Sequence, residues 1–326
     1  MTNLAKRFIS DPSYGQVYSD FLTEYERLQH MLRLPDAQPE PPFTYYLPHH
    51  EVMREHSLTT KLRVVFNGSS RTTTGYSLND VLHTGAKLQL DIFDVLLWFR
   101  QFRYVFAFDI EKMYRQIKVH KDDWPFQRIF WMDRENEFVT YQLTTVTYGL
   151  TCAPFLALRA LAQLIIDEGE RFPLAIPSLN KGRYIDDIFG GADSIAQAQE
   201  IVAHLSQLCK AGGFPLQKWI SNHPAVLNDV PSTSHDNLSI LPFEDTTNVQ
   251  VLGISWNPST DSFQFSVKAS SPKIITKRIV LSTIARLFDP LRLLAPVIIT
   301  AKIFIQELWS LKLEWDDSLP EPSSTN

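Results

Sequence analysis

Asp186 and Asp187 are adjacent carboxylates in the run Arg183-Tyr184-Ile185-Asp186-Asp187-Ile188-Phe189-Gly190-Gly191. Aromatic and β-branched residues flank the pair and two glycines come after it, which is the pattern of a strand–turn–strand. Neighbouring carboxylates repel, and burying both is costly unless a cation neutralises them. Hard divalent cations such as magnesium prefer carboxylate oxygens and resolve that conflict. The plain alternative is a solvated Asp-Asp turn.

A third carboxylate, Asp109, ends the apolar run Tyr104-Val105-Phe106-Ala107-Phe108-Asp109. Strand ends are often polar, so Asp109 alone decides nothing. Taken in order, a strand with Asp109, a helix, a strand with Asp186-Asp187, a helix and a further strand read as a split β-α-β sheet. In that topology the Asp109 strand and the Asp-Asp hairpin are neighbours, and their carboxylates converge at one edge. Three such carboxylates can hold two magnesium ions about 4 Å apart, one activating an attacking hydroxyl and the other neutralising a leaving pyrophosphate.

Other elements must place these groups. Phe21, Leu22, Tyr25, Leu28 and Leu32 predict helix within 1–34, with a Pro-rich linker after it. A strand is expected at 62–66, a helix at 88–100, a helical turn at 110–114 and a strand at 116–119. A hairpin is expected at 128–132 and 138–143, and helices at 154–168 and 194–211. Short strands at 214–219 and 250–256 flank a polar loop, 228–248. Ser271-Pro272 reads as the cap and first position of a helix running to about Phe288. Asp289-Pro290 breaks it, a second helix covers 296–311, and 319–326 is a disordered tail.

The chain has 326 residues, 44% hydrophobic and 21% charged, with a net charge of −5. That is globular composition with ample core material. The charge argues against a nucleic-acid coat protein but describes the average surface, not a cleft. Two cysteines, Cys152 and Cys209, exclude a disulfide scaffold and a Cys-rich zinc module. No run reaches membrane-spanning length and the N-terminus lacks an apolar signal core, so an intracellular, unsecreted protein is expected.

Six segments, in order, resemble the reverse transcriptases of LTR retrotransposons, and most closely the BEL/Pao group. They are Lys61-Leu-Arg63-Val-Val-Phe66, Ala107-Phe-Asp109 through Tyr114, and Thr147-Tyr148-Gly149 through Pro154. Tyr184-Ile-Asp186-Asp187, Gly213 through Lys218-Trp219, and Val251-Leu-Gly253-Ile-Ser-Trp256 complete the set. Past them, Thr276-Lys-Arg, Phe288-Asp-Pro-Leu, Leu294-Ala-Pro and Gln306-Glu-Leu-Trp309 resemble the segment C-terminal to the palm in that group. Each motif alone is weak; six in fixed order are specific.

The resemblance implies an α+β right-hand polymerase with a ferredoxin-like (split βαβ) palm. Residues 1–40 would be a helical extension and linker, and 41–269 fingers and palm, with fingers at about 41–100 and 120–150. Residues 270–318 would be a helical, thumb-like region. The implied activity is RNA-directed DNA polymerisation with two Mg²⁺ ions, or Mn²⁺, on dNTPs and an RNA or DNA template with primer. Asp109, Asp186 and Asp187 would bind metal. Lys61, Arg63, Tyr114, Tyr148, Gly149 and Lys218 would meet the nucleotide, Tyr114 by excluding a ribose 2′-hydroxyl. Tyr184, Gly253, Trp256, Lys273 and Lys277 would meet primer or template, with Arg278 on the same basic helix.

The resemblance also places the protein in a cytoplasmic retroelement particle, as a polyprotein piece without the protease, RNase H and integrase parts. One departure stands out: many members carry Gly where this chain has Arg292. The competing readings are an inactive or domesticated fragment that only binds template–primer, an RNA-directed RNA polymerase, and a globular domain with accidental motifs.

Overall fold

The computed structural model describes residues 8, 10–35, 40–53, 62–132, 137–230, 248–265 and 274–319. Lys61, Lys273, the expected Ser271-Pro272 helix start, most of the 228–248 loop and all but the first residue of the 319–326 tail lie outside them. The chain divides into two units. One comprises 1–89, 110–176 and 204–216, and the other 90–109, 177–203 and 217–326.

In the first unit, Asp11 caps the helix Pro12–Arg27, its side chain accepting from the Tyr14 amide at 3.1 Å. Tyr14, Tyr18, Phe21, Leu22 and Tyr25 recur at helical spacing and are buried. They join one apolar cluster with Val64, Phe66, Ile129, Trp131 and Tyr141. The helix stops where Gln29 turns left-handed at φ 59°.

Beyond that turn, residues expected as helix form a strand, Met31–Arg33, paired antiparallel with Phe138–Leu143. Burial of Met31 outweighs local helical preference there. Phe138–Leu143 also pairs with Arg128–Met132, as its pattern predicts. Leu62–Phe66 pairs with His49–Met53. The helix Ala153–Glu168 forms as expected. The expected helical turn becomes a 3₁₀ helix at Met113–Gln116. The strand expected at 116–119 reduces to a single bridge, Lys118 to Thr145.

The second unit is built on a four-stranded sheet. Its order is Arg183–Tyr184, Asp187–Ala192, Tyr104–Ile110 and Leu216–Ser221. That is the split β-α-β order expected from the sequence. Phe106 and Phe108 pack on Trp219, with ring centroids 6.1 and 4.2 Å apart. Val105 and Ala107, on the other face, join a cluster with Phe189, Ile220 and Trp256. The helix Ile92–Phe99, capped by Asp91, buries Val95, Leu96 and Phe99 in that cluster.

The expected strand 250–256 is in fact two strands. Val249–Val251 and Ile254–Asn257 pair through a two-residue turn at Leu252 and Gly253, with φ 47° and 86°. Positive φ at both central residues is the hairpin geometry that matches strand twist. Ser262–Gln264 adds a third strand.

Of the two C-terminal helices, Lys277–Ala285 is shorter than expected, and Ala295–Ser310 lies within one residue of the expected 296–311. The first is capped by Thr276, whose hydroxyl accepts from the Ile279 amide at 3.4 Å. Between the helices, Asp289 accepts from the Leu293 and Leu294 amides at 2.9 and 2.7 Å. Arg292 lies in that turn at φ 59°, a left-handed conformation that costs a side-chain-bearing residue about 1 kcal/mol. Arg292→Gly should therefore stabilise the protein by about 0.5–1 kcal/mol, read as a raised denaturation midpoint. A lowered midpoint would show that Arg292 contributes contacts worth more than the strain.

Candidate catalytic site

The three carboxylates belong to the second unit, and strand register brings them together. Tyr104–Ile110 runs antiparallel to Asp187–Ala192, with Ala107 opposite Phe189 and Asp109 opposite Asp187. Directly opposed residues hold their Cβ atoms about 4.5–5.5 Å apart. Alternation puts Asp109 on the face of Val105 and Ala107, and Asp187 on the face of Phe189. The apolar cluster therefore ends where the carboxylates begin.

Asp186 occupies the turn between Tyr184 and Asp187, which pair across the hairpin. Its neighbour Ile185 is held at φ 56°. A β-branched residue there is strained by about 1–3 kcal/mol, and such strain concentrates at functional sites.

Lys218 completes the cluster. Its Nζ donates to Asp109 Oδ2 at 2.6 Å, and Gln217 Nε2 approaches the same oxygen at 3.4 Å. Burial first, then the Asp186 and Asp109 carboxylates, push the Asp187 carboxyl up to about 7; the Lys218 ammonium pulls the other way. The half-buried site thus carries more negative charge than its one ammonium offsets. A set of hard oxygens with excess negative charge suits a divalent cation such as Mg²⁺. The carboxylates are not pre-gathered, however: among the described residues no group of three His, Cys, Asp or Glu is arranged to hold a metal ion.

The other sequence-derived residues fall in several places. Arg63, Tyr148 and Gly149 form a cluster of their own in the first unit. The Arg63 guanidinium lies 5.1 Å from the Tyr148 ring centre. The Tyr148 hydroxyl donates to the Val64 carbonyl. Gly149, at φ 97°, passes the Phe66 carbonyl so closely that a Cβ would lie 2.1 Å from its oxygen, so no other residue fits. Tyr114 is half-buried against the apolar cluster of the same unit.

In the second unit Tyr184 is half-buried beside the carboxylates. Trp256 corrects the expectation of a direct primer contact. It is fully buried, stacked edge-on to Phe99 at 5.1 Å, and its Nε1 donates to Asp261 at 3.0 Å. The apolar surface of an indole outweighs any surface role at that position. Gly253 is exposed in its turn.

Lys277 and Arg278 are also not a free basic face. Lys277 lies 5.3 Å from the Trp315 ring and Arg278 pairs bidentately with Asp316 at 2.7 and 2.9 Å. Sequence reasoning missed the Gln217 and Asp261 roles. Gln217 stands inside a motif that singled out only its neighbour Lys218, and Asp261 belongs to no motif. The contacts of Gln217 with Asp109 and of Asp261 with Arg100 join residues far apart in the chain.

Two family models match parts of the chain. Residues 74–219 match the family model for reverse transcriptase (RNA-dependent DNA polymerase). Residues 276–326 match the Pao retrotransposon-like RNaseH-like domain. The second match lies where a thumb-like region, and no RNase H part, was expected. A solved structure of the foamy viral protease-reverse transcriptase dRH, in complex with double-stranded DNA, shares the fold with a TM-score of 0.58 at 15% identity. The likeness covers 96% of this chain and 45% of that one, so this chain spans under half its length. No curated protein matches. The chain thus carries a segment, residues 74–219, that matches the reverse transcriptase family model, and a C-terminal segment that matches a Pao retrotransposon-like domain.

The raised Asp187 pKa has a sign. The fold favours the neutral carboxyl, so this group's contribution to stability is full below about pH 4 and is lost as pH rises through about 7. Asp187→Asn should then gain stability over wild type between about pH 5 and about pH 8 without metal, by on the order of 1–3 kcal/mol. Saturating Mg²⁺ should close the gap, as read by thermal denaturation in chelator and in Mg²⁺. A gap independent of pH would contradict the charge crowding.

Proposed function

We propose that this protein is an RNA-directed DNA polymerase, transferring a deoxynucleotide to a primer 3′-hydroxyl with release of pyrophosphate. The observation that carries the proposal is the cross-strand pairing of Asp109 with Asp187 beside Asp186. All three residues stand in the motifs of a segment that matches the reverse transcriptase family. The four-stranded sheet is assigned as the palm, residues at about 41–100 and 120–150 as fingers, and 270–318 as thumb-like.

Asp109 and Asp186 would hold the divalent cations, with Asp187 assisting. Bound Mg²⁺ would activate the primer hydroxyl and neutralise the leaving pyrophosphate. The chain's own task is placement and electrostatics, because phosphoryl transfer needs little covalent help. Arg63 offers a planar fork for phosphate oxygens, and Lys218 a point charge. Gly149 lets backbone approach the nucleotide and Tyr148 lines its site. Tyr114 would reject a ribose by collision with its 2′-hydroxyl. Template and primer would be held through phosphates and A-form shape rather than sequence.

One observation favours a second reading, a fragment that binds template–primer without extending it: Arg292 strains a turn where many members of the group have Gly. Primer extension on an RNA template with Mg²⁺ decides between them. We expect dNTP incorporation, reduced about 100-fold or more by Asp186→Asn. Tyr114→Ala should raise ribonucleotide use relative to deoxynucleotide use. Extension that survives Asp186→Asn would overturn the assigned role. Binding without extension under Mg²⁺ or Mn²⁺ would establish the second reading, and a wild-type preference for ribonucleotides would make the protein an RNA polymerase.

A further inference from the structure

The strand Leu216–Ser221 contains an anomaly at Lys218, whose φ is 55°. Successive residues of a regular strand point to opposite faces, so Gln217 and Lys218 should not reach the same group. Both approach Asp109 Oδ2, at 3.4 and 2.6 Å. A left-handed residue inside a strand marks a bulge, which re-aims side chains at a local cost of about 1–2 kcal/mol. The backbone is therefore bent so that an ammonium meets the one carboxylate that pairs across the sheet with Asp187.

We propose that Lys218 is a built-in counter-ion that occupies Asp109 when no divalent cation is bound, and that metal binding must displace it. This rests on the reading of Asp109, Asp186 and Asp187 as the metal site. An ammonium is compact and carries three rotatable donors on a flexible stem, so it can leave without disturbing the strand. Side-chain exposures of 35% for Lys218 and 18% for Asp109 keep the pair within reach of solvent cations. Once displaced, the ammonium is free to meet a phosphate, which couples metal loading to readiness for the nucleotide. Lys218 is in this respect a positioning residue, acting on the metal through Asp109.

The test is a Mn²⁺ titration of the whole chain, read by calorimetry and by the paramagnetic signal of free Mn²⁺. Removing a unit charge a few ångströms from the site should tighten Mn²⁺ binding about ten-fold or more in Lys218→Met. Lys218→Arg, which keeps the charge, should stay near wild type, and Asp186→Asn should lose the site. Equal or weaker binding by Lys218→Met would overturn the proposal while leaving the metal site standing. No Mn²⁺ binding by wild type or Lys218→Met would overturn the metal reading beneath it.

If Lys218→Met does not fold, wild type supplies the answer through acetylation read by mass spectrometry. Lys218 should be modified faster in Mg²⁺ than in chelator, while Lys112, paired with Glu24 at 2.8 Å, should not change. An unchanged rate at Lys218 would overturn the proposal.

Discussion

The constraint on which the rest of the site depends is one pair in one strand register, Asp109 opposite Asp187. A slip of one residue between the two strands would put the carboxylates on opposite faces of the sheet. The register is held from behind by the apolar part of the same two strands. Ala107 and Phe189, the next pair on that face, belong to the cluster with Val95, Leu96, Phe99 and Trp256. Like charges directly opposed across strands destabilise a sheet, so core burial must offset the repulsion between the carboxylates. The energy of burial is in effect stored as charge density at the end of the strands. That is why Trp256, away from any chemistry, still bears on the site: it fills the cluster that fixes the register.

Charge crowding has a second consequence. Without a cation the cluster relieves itself in two ways at once. Asp187 tends to keep its proton, and Asp109 takes the Lys218 ammonium. Both are reversible, and both would be undone by a divalent cation. A site of this kind is poised rather than preassembled. Its strained positions, Ile185 and Lys218, lie at the two elements that flank the carboxylates.

Much of this was legible in the sequence, and the reasons it was or was not are physical. The Tyr184-Asp187 hairpin was readable because a polar pair between β-branched residues and glycines has few other solutions. The order of strands and helices around it gave the split sheet. Arg292 was readable as a strained residue because a turn position with Gly preference carries a φ requirement, and the observed φ of 59° meets it. What sequence could not show was long-range. Met31–Arg33 reads as the end of a helix, and only its partner Phe138–Leu143 makes it a strand. Residues 250–256 read as one strand because a two-residue turn leaves apolar alternation nearly intact. Trp256 looked like a surface contact because a motif says nothing of burial. Lys277 and Arg278 looked free because Trp315 and Asp316 approach from far along the chain.

The central claim is that Asp109, Asp186 and Asp187 form one divalent-cation site on the sheet edge. Anomalous scattering from a crystal of the protein grown with Mn²⁺ tests it most directly. Manganese peaks are expected in contact with carboxylate oxygens of Asp109 and Asp186, with the Lys218 ammonium withdrawn from Asp109. Manganese absent from that edge at a concentration that supports primer extension, or bound only elsewhere on the chain, would contradict it.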